Sequence, residues 1–148
     1  MMYSHTQSTL NVIVGFVVLV LVFLVAMLGD ETTTAGAFGL GAFLVVVGLL
    51  LANFSRLSVS IEGDTIHLRF GRGWPHKEIA LADVATADIV RNKWWFGFGI
   101  RYTPHGWLYN VWGLDAVQLD FTSGKSFRIG TDEPDELMAA IKASLPSR

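Results

Sequence analysis

LNVIVGFVVLVLVFLVAML, residues 10–28, is a run of nineteen residues without a charged side chain. A second uncharged run, AFGLGAFLVVVGLLLANF, occupies residues 37–54. Each run is long enough to cross the hydrocarbon core of a bilayer as a helix, which takes about 20 apolar residues. We therefore predict an N-terminal tail over residues 1–9 and two transmembrane helices joined by a short loop over residues 29–36.

The residues that flank these runs predict their orientation. The loop carries Asp30 and Glu31 and no basic residue, whereas basic residues begin directly after the second run. The motif Ala35-Gly36-Ala37 matches a signal-peptide cleavage site, but residues 1–9 lack the basic residues of a signal peptide. Because Lys and Arg concentrate on the cytoplasmic side of membrane proteins, we expect a multi-pass protein of the plasma (inner) membrane. Both termini and the domain after the helices are then cytoplasmic, and the loop is extracytoplasmic.

Small residues recur at helical spacing in both runs and allow helix backbones to approach closely in lipid. These residues are Gly15, Ala26, Ala37, Gly41, Gly48 and Ala52. We favour packing of the two helices on each other as the explanation, with oligomerisation through the same stripe as the alternative. Neither run contains an ionisable residue, so the usual marker of transport or proton relay is missing.

The rest of the chain has the composition of one small domain without net charge. Residues 56–148 contain all 11 basic residues of the chain and 11 of its 13 acidic ones. Nonspecific nucleic-acid binding depends on neutralising phosphates, so we expect no nucleic-acid partner. The chain has no cysteine, which excludes disulfides and thiolate chemistry. The length of this part, about 93 residues, suits a single hydrophobic core.

Alternation of polar and apolar residues predicts a β-rich domain over residues 55–148. Residues 56–61 and 65–70 alternate strictly, and residues 116–122 and 125–129 predict a hairpin over a Ser-Gly turn. Further strands are predicted over residues 76–81, 84–90, 98–103 and 107–111. Pro134 and its acidic neighbours predict the start of an amphipathic helix over residues 133–145. We expect a mainly-β partial barrel of seven or eight antiparallel strands, capped by this helix.

Four segments carry a resemblance to a known family. They are FGFGIR (residues 96–101), GWLYNV (106–111), SGK (123–125) and FRIGTDEP (127–134). Together with the predicted strands and final helix, they resemble the bacterial pleckstrin-homology-like (PH-like) family, whose members often place two membrane helices ahead of the domain. The resemblance covers about residues 55–145. It implies a PH-like barrel at a membrane and no particular activity, because these motifs describe turns and the start of a helix.

Basic residues near the predicted membrane surface are the first candidate site. They are Arg56, Arg69, Arg72 and Lys77. A Lys or Arg close to anionic headgroups contributes about 1 kcal/mol to membrane binding, and PH domains that bind inositol phosphates use a basic loop between early strands. The interpretations are an ordinary solvated face, weak contact with anionic lipid headgroups, or specific recognition of a phosphoinositide. We favour the solvated face because the basic residues are few.

An aromatic segment is the second candidate. It comprises Arg91, Lys93, Trp94, Trp95 and Phe96. Tryptophan is enriched at membrane interfaces, and adjacent residues of a strand point to opposite faces. The segment is therefore either a membrane or partner-binding patch or a part of the core with a β-bulge.

Residues for catalysis are not apparent in the sequence. No histidine has a carboxylate at metal-ligand spacing, and no serine lies in a nucleophile turn, so we expect no catalytic residues, no cofactor and no metal site. An enzyme that acts on a lipid would need an acid–base pair that we do not find. We expect a membrane-anchored, non-enzymatic interaction or scaffold module that binds a protein partner or itself. The alternatives are a homo-oligomeric membrane assembly and a weak binder of anionic lipid headgroups.

Overall fold

The computed structural model describes residues 3–27 and 34–145. Three helices and nine strands occur in this part of the chain. In chain order they are β1 (Tyr3–Ser8), α1 (Leu10–Met27), α2 (Thr34–Phe54), β2 (Arg56–Glu62), β3 (Thr65–Phe70), β4 (His76–Ala80), β5 (Val84–Arg91), β6 (Gly99–Thr103), β7 (Gly106–Asn110), β8 (Asp115–Phe121), β9 (Ser126–Gly130) and α3 (Pro134–Ser144). The mainly-β class with a C-terminal helix is confirmed.

The two N-terminal helices occupy the two apolar runs. Within α2, the stretch Gly36–Phe54 is long and apolar enough to cross a membrane, and none of it is buried. In α1, the apolar stretch among the described side chains is Ile13–Leu24, which is shorter than a membrane span. The helix α2 begins three residues before the predicted boundary, and most of the predicted loop lies outside the described residues.

The predicted N-terminal tail is a β-strand. Strand β1 pairs antiparallel with β2 along its whole length, from Tyr3 opposite Ile61 to Ser8 opposite Arg56. Directly after it, the Thr9 amide donates to the Ser55 carbonyl at 2.9 Å. The first residue of α1 and the last residue of α2 therefore lie side by side. We call this end of the domain the helix-proximal end.

Strand β1 is also attached to the start of α3. The two ring nitrogens of His5 lie 2.7 Å from an Asp132 carboxylate oxygen and 3.0 Å from a Glu133 oxygen. Burial of Tyr3, followed by the nearby charges of Glu133, Glu136 and Asp132, raises the pKa of Tyr3 to about 12. The N-terminal strand is thus an integral part of the domain.

The strands form two sheets rather than one partial barrel of antiparallel strands. Sheet A has the order β1-β2-β3-β4, and sheet B has the order β5-β8-β9-β7-β6. The expected number of strands was seven or eight, and nine are present in the described residues. Strands β2 to β9 fall in the eight predicted segments, and β1 is the additional strand. The expectation of antiparallel pairing throughout is wrong for β7 and β9, which run parallel. The reason is that β8 pairs with β5 and not with β7. The β8–β9 hairpin then places β9 between β8 and β7, where it runs parallel to β7.

The core lies between the inner faces of the two sheets and α3. Its buried side chains alternate along β2 and β3, as the period of two predicts, and α3 contributes Leu137 and Ile141. Burying one such aliphatic or aromatic side chain contributes about 1.5–3 kcal/mol. The core continues to the helix-proximal end, where Phe54 and Phe70 pack with ring centroids 5.3 Å apart. The last residue of α2 is thereby fixed to sheet A.

Candidate functional site

The β3–β4 turn is held against the last turn of α2. Asn53 Nδ2 donates to the Trp74 carbonyl at 2.7 Å, and the Gly71 amide donates to the Arg56 carbonyl at 3.0 Å. Gly71 has a φ of +48°, and a Cβ there would overlap Asn53. These contacts place Trp74, whose side chain is 72% exposed, beside the end of α2. This role of Asn53 is not predictable from the local sequence.

On the other side of α2, two aromatic rings lie beside the start of α1. The Phe98 and Trp112 rings stack with centroids 5.1 Å apart and an interplanar angle of 15°. Gln7, three residues before α1, donates from Nε2 to the Trp112 carbonyl at 2.8 Å. Exposed aromatic residues therefore lie on both sides of the paired helix ends. Tryptophan and tyrosine are enriched at membrane–water interfaces in membrane proteins.

The four predicted headgroup contacts do not form one patch. Arg56 and Arg72 line the same cleft beside the last turn of α2. Arg69 lies opposite Ser58 on the outer, polar face of sheet A. Lys77 lies opposite the buried Leu68, on the other face, and its Nζ is 5.9 Å from the centroid of the Phe127 ring. The structure brings together only Arg56 and Arg72 at the helix-proximal end.

Arg101 is a basic residue of this end that the sequence analysis missed. It lies in β6, and its Nε donates to the Phe98 carbonyl at 3.0 Å. Its side chain lines a cleft shared with Leu51 and Phe54 of α2. The only sequence signal was its position in the segment that carries the PH-like resemblance, which gives no distance to the helices.

The predicted aromatic patch forms an exposed 3-10 turn over Trp94–Phe96. Trp94 and Trp95 are 75% and 59% exposed, and Lys93 Nζ lies 5.0 Å from the centroid of a Trp95 ring. Phe96 is half-buried and its ring lies 6.3 Å from that of His105. Arg91 forms an ion pair with Asp115 at 3.6 Å. The two indoles are thus on the surface and outside the core.

A buried arginine ties this turn to sheet B. Arg128 Nη1 donates to Asn92 Oδ1 at 3.0 Å, and Arg128 Nε donates to Gln118 Oε1 at 2.9 Å. Arg128 and Asn92 are both buried. Burial lowers the pKa of Arg128, against the raising effect of Asp120, yet an arginine stays charged in proteins. These hydrogen bonds fix the position of Asn92, two residues before the aromatic turn begins.

Replacing Asp120 with asparagine is expected to make the domain less sensitive to acid. A hydrogen bond from Ser126 Oγ at 2.6 Å, together with those from Gln118 and Thr86 and the charge of Arg128, lowers the pKa of Asp120 from its ordinary 3.8, although burial opposes the shift. The folded pKa is therefore below the unfolded one. The ionised carboxylate then stabilises the fold above the unfolded pKa, and this contribution is lost as the pH falls through the folded pKa.

Thermal unfolding followed by circular dichroism between about pH 6 and pH 3 measures this effect, since that interval contains the unfolded pKa. The midpoint should fall more steeply with acid in the wild type than in Asp120→Asn. Asp88→Asn, on the neighbouring strand opposite Gln118, is the matched control and should retain the wild-type slope. Equal slopes in all three proteins would contradict the prediction.

Of the three glycines in the predicted small-residue stripe, only Gly48 faces the other helix closely. A Cβ on Gly48 would lie 2.7 Å from Cε1 of Phe16. A Cβ on Gly15 or on Gly41 would meet no atom of the described residues within 4 Å. Ala37 is half-buried and Ala52 is exposed, while the side chain of Ala26 lies outside what the structure describes. The helix contact thus uses part of the stripe and leaves Gly15 and Gly41 open.

Clusters of metal-ligating side chains are not found in the described part of the chain: no three His, Asp or Glu residues there could hold a metal ion together. The arrangement instead offers surfaces, namely the two aromatic sides and the arginines of the helix-proximal end, and the Trp94–Phe96 turn. Comparison of the chain with protein-family models, with curated proteins and with solved structures found no match.

Proposed function

We propose that this chain is a two-span membrane protein whose β domain is held at the bilayer surface as a non-enzymatic interaction module. The observation that carries the proposal is the exposure of large apolar side chains on α1 and α2. Phe38 is 76% exposed and Leu49 is 68% exposed. A core helix of a soluble protein would bury such residues, whereas the hydrocarbon core of a bilayer solvates them. The two helices therefore need lipid around them.

The pairing of β1 with β2 supports an even number of crossings. At 1.5 Å per residue, the 18 residues of α1 extend about 27 Å and the 21 residues of α2 extend about 32 Å, close to the 30 Å of a hydrocarbon core. Because β1 precedes α1 and β2 follows α2 in one sheet, the chain must return to the side from which it started. Two crossings satisfy this requirement.

The charges at the helix-proximal end favour a cytoplasmic domain. Arg56, Arg72 and Arg101 all lie next to the last turn of α2, and the loop between the helices carries Asp30 and Glu31. This distribution follows the positive-inside rule. We accordingly place both termini and the domain in the cytoplasm, at the inner membrane.

The absence of a linker supports a role at the membrane surface. Only Ser55 separates α2 from β2, and it is buried, so the domain cannot move away from the bilayer. A partner already in the membrane then meets the domain at a raised effective concentration. The exposed Trp94 and Trp95 are our candidate partner contacts, because tryptophan is enriched among residues that dominate binding energy. The two sheets and the final helix agree with a PH-like origin. The parallel pairing of β7 with β9 differs from the seven antiparallel strands expected for it.

Single cysteines test the topology directly, since the chain has none of its own. Ser4→Cys in β1, Glu62→Cys in β2 and Thr32→Cys in the loop can each be labelled in intact cells with a membrane-impermeant maleimide. We expect labelling at position 32 without permeabilisation and at positions 4 and 62 only after it. Labelling of positions 4 and 62 from opposite sides would contradict the two-span topology, and labelling of both from outside would reverse the orientation.

Cross-linking in cells tests the interaction role. Affinity purification of the full chain after cross-linking should recover a specific partner band that is lost when Trp94 and Trp95 are both replaced by serine. Tyr102→Ser, which removes another exposed aromatic residue, is the matched control and should keep the band. The same bands from all three proteins and from an unrelated two-span protein would contradict an interaction role of this turn.

Self-association is a second candidate function, favoured by the open space at Gly15 and Gly41. We expect Gly41→Leu to reduce cross-linked dimers several-fold and to leave the helix pair intact, since no atom of the described residues lies within 4 Å of a Cβ at that position. Gly48→Leu should instead disturb the packing of α2 on Phe16. In-membrane cross-linking measures the first effect, and proximity of cysteines placed on α1 and α2 measures the second. Unchanged cross-linking in Gly41→Leu would remove the oligomeric alternative.

A further inference from the structure

An apolar cleft lies where the last turn of α2 meets the first residues of β6. Its volume is about 420 Å³, which is within the range of small-molecule binding sites. Leu51 and Phe54 of α2 form one wall, and Phe98, Ile100 and Val111 of the domain form the opposite one. A protein with its helices in a bilayer has this cleft at the level where the hydrocarbon core gives way to headgroups. A ligand there would come from the lipid itself.

One rim of the cleft carries a positive charge. The Arg101 side chain lines it and is exposed, and its Nε is held by the Phe98 carbonyl. No carboxylate within the described residues forms an ion pair with Arg101. Its remaining guanidinium N–H groups are therefore available to an anion, and guanidinium groups bind phosphate through parallel hydrogen bonds.

A second, independent feature of the cleft is an unpartnered hydroxyl. Thr9 lines the cleft and is only 4% exposed. Its Oγ1 has no hydrogen-bond partner among the residues that the structure describes. A buried hydroxyl without a partner is costly, and an ester carbonyl in the cleft would be an acceptor for it.

We propose that this cleft binds one phospholipid of the domain-side leaflet. One acyl chain lies between the α2 wall and the β6 wall, an ester carbonyl accepts from Thr9, and the phosphate of an anionic headgroup lies on Arg101. The three chemical parts of the lipid thus match the apolar, hydroxyl and cationic parts of the cleft. The inference rests on the proposed membrane anchoring, and it gives that anchoring a specific lipid contact.

Native mass spectrometry of the full chain, purified in detergent, tests the proposal with two defined probes. These are dioleoyl phosphatidylglycerol and dioleoyl phosphatidylcholine, added in equal amounts. We expect the wild type to retain one lipid molecule and to prefer phosphatidylglycerol. Arg101→Gln should lower that preference about fivefold, which is the contribution of one basic residue near a headgroup. Arg69→Gln, which removes an arginine on the outer face of sheet A, should leave the preference unchanged.

Two further variants distinguish binding of a lipid in the cleft from the effect of the positive charge at its rim. Leu51→Trp fills the cleft and keeps α2 apolar, and it should abolish retention of both lipids. Thr9→Val keeps the shape and removes the hydroxyl, and it should weaken retention of both. Wild-type retention in Leu51→Trp would overturn the proposal, as would a preference that falls equally in Arg101→Gln and Arg69→Gln.

Carbonate extraction of the same membranes distinguishes failure of the two proposals. If the chain stays in the membrane pellet and retains neither lipid, the cleft proposal is overturned and the membrane anchoring stands. If the chain is released by carbonate, the anchoring is overturned and the lipid site with it. Circular dichroism of each variant confirms that a lost lipid does not reflect an unfolded domain.

Discussion

Replacing Phe70 with alanine is expected to lower the free energy of unfolding by about 3–5 kcal/mol, the cost of truncating a fully buried phenylalanine. The Phe70 side chain is completely buried. Its ring lies 5.3 Å from that of Phe54 at the end of α2 and 5.5 Å from that of Tyr109 in sheet B. The substitution removes a ring of sheet A that contacts both the end of α2 and sheet B, so the cavity opens between the helix end and the two sheets.

Thermal unfolding of the full chain in detergent, followed by circular dichroism, measures this loss. Tyr102→Ala is the matched control, because that ring is largely exposed and surface substitutions change stability by about 0.5 kcal/mol or less. A Phe70→Ala protein as stable as Tyr102→Ala would show that the core does not reach the helix-proximal end as described. Faster amide exchange in β3 and at the end of α2 should accompany the loss.

The second large effect is expected for Gly106→Ala at the start of β7. Gly106 has a φ of +92°, and a Cβ there would overlap the backbone of Ser126 in β9. Alanine at positive φ costs about 1–2 kcal/mol by itself. The overlap adds about 1–3 kcal/mol, typical of overpacking, because a strand backbone cannot move aside without breaking the β7–β9 pairing.

Gly124→Ala is the control that isolates the overlap. Gly124 has a similar φ of +82°, but a Cβ there would meet no atom within 4 Å in the part of the chain that the structure describes. We expect Gly124→Ala to show only the cost of the backbone conformation, and Gly106→Ala to be clearly less stable in chemical denaturation of the full chain. Equal losses in the two variants would mean that β7 and β9 are not in close contact at this position.

The domain strands were predictable because burial on one face leaves a period of two in the sequence. In β2, the apolar residues Leu57, Val59 and Ile61 all point into the core, and such a pattern needs no knowledge of the partner strand. Strand β1 carries no such signal. Its inward residues are Tyr3, His5 and Gln7, which are polar or amphipathic, and its partner lies about fifty residues along the chain.

The candidate site was predictable only in part, because residues meet there through tertiary contacts. Arg56 and Arg72 come together because Asn53 holds the β3–β4 turn, and no local pattern predicts that hydrogen bond. Lys77 was grouped with them by proximity in sequence, yet the register of β3 and β4 turns it to the opposite face. Arg101 lies forty-five residues after Arg56 in the sequence and reaches the helix-proximal end because β6 lies there.

The pairing of β1 with β2 makes the helical pair the connection of a β-hairpin. Sheet A can be completed only after both helices have crossed the bilayer in the proposed topology, because a single crossing would leave β1 and β2 on opposite sides. Formation of this edge strand therefore reports correct membrane insertion. A chain inserted wrongly would display the polar backbone edge of β2, and unpaired strand edges promote aggregation. In the proposed topology, the six residues of β1 thereby couple membrane insertion to folding of the domain.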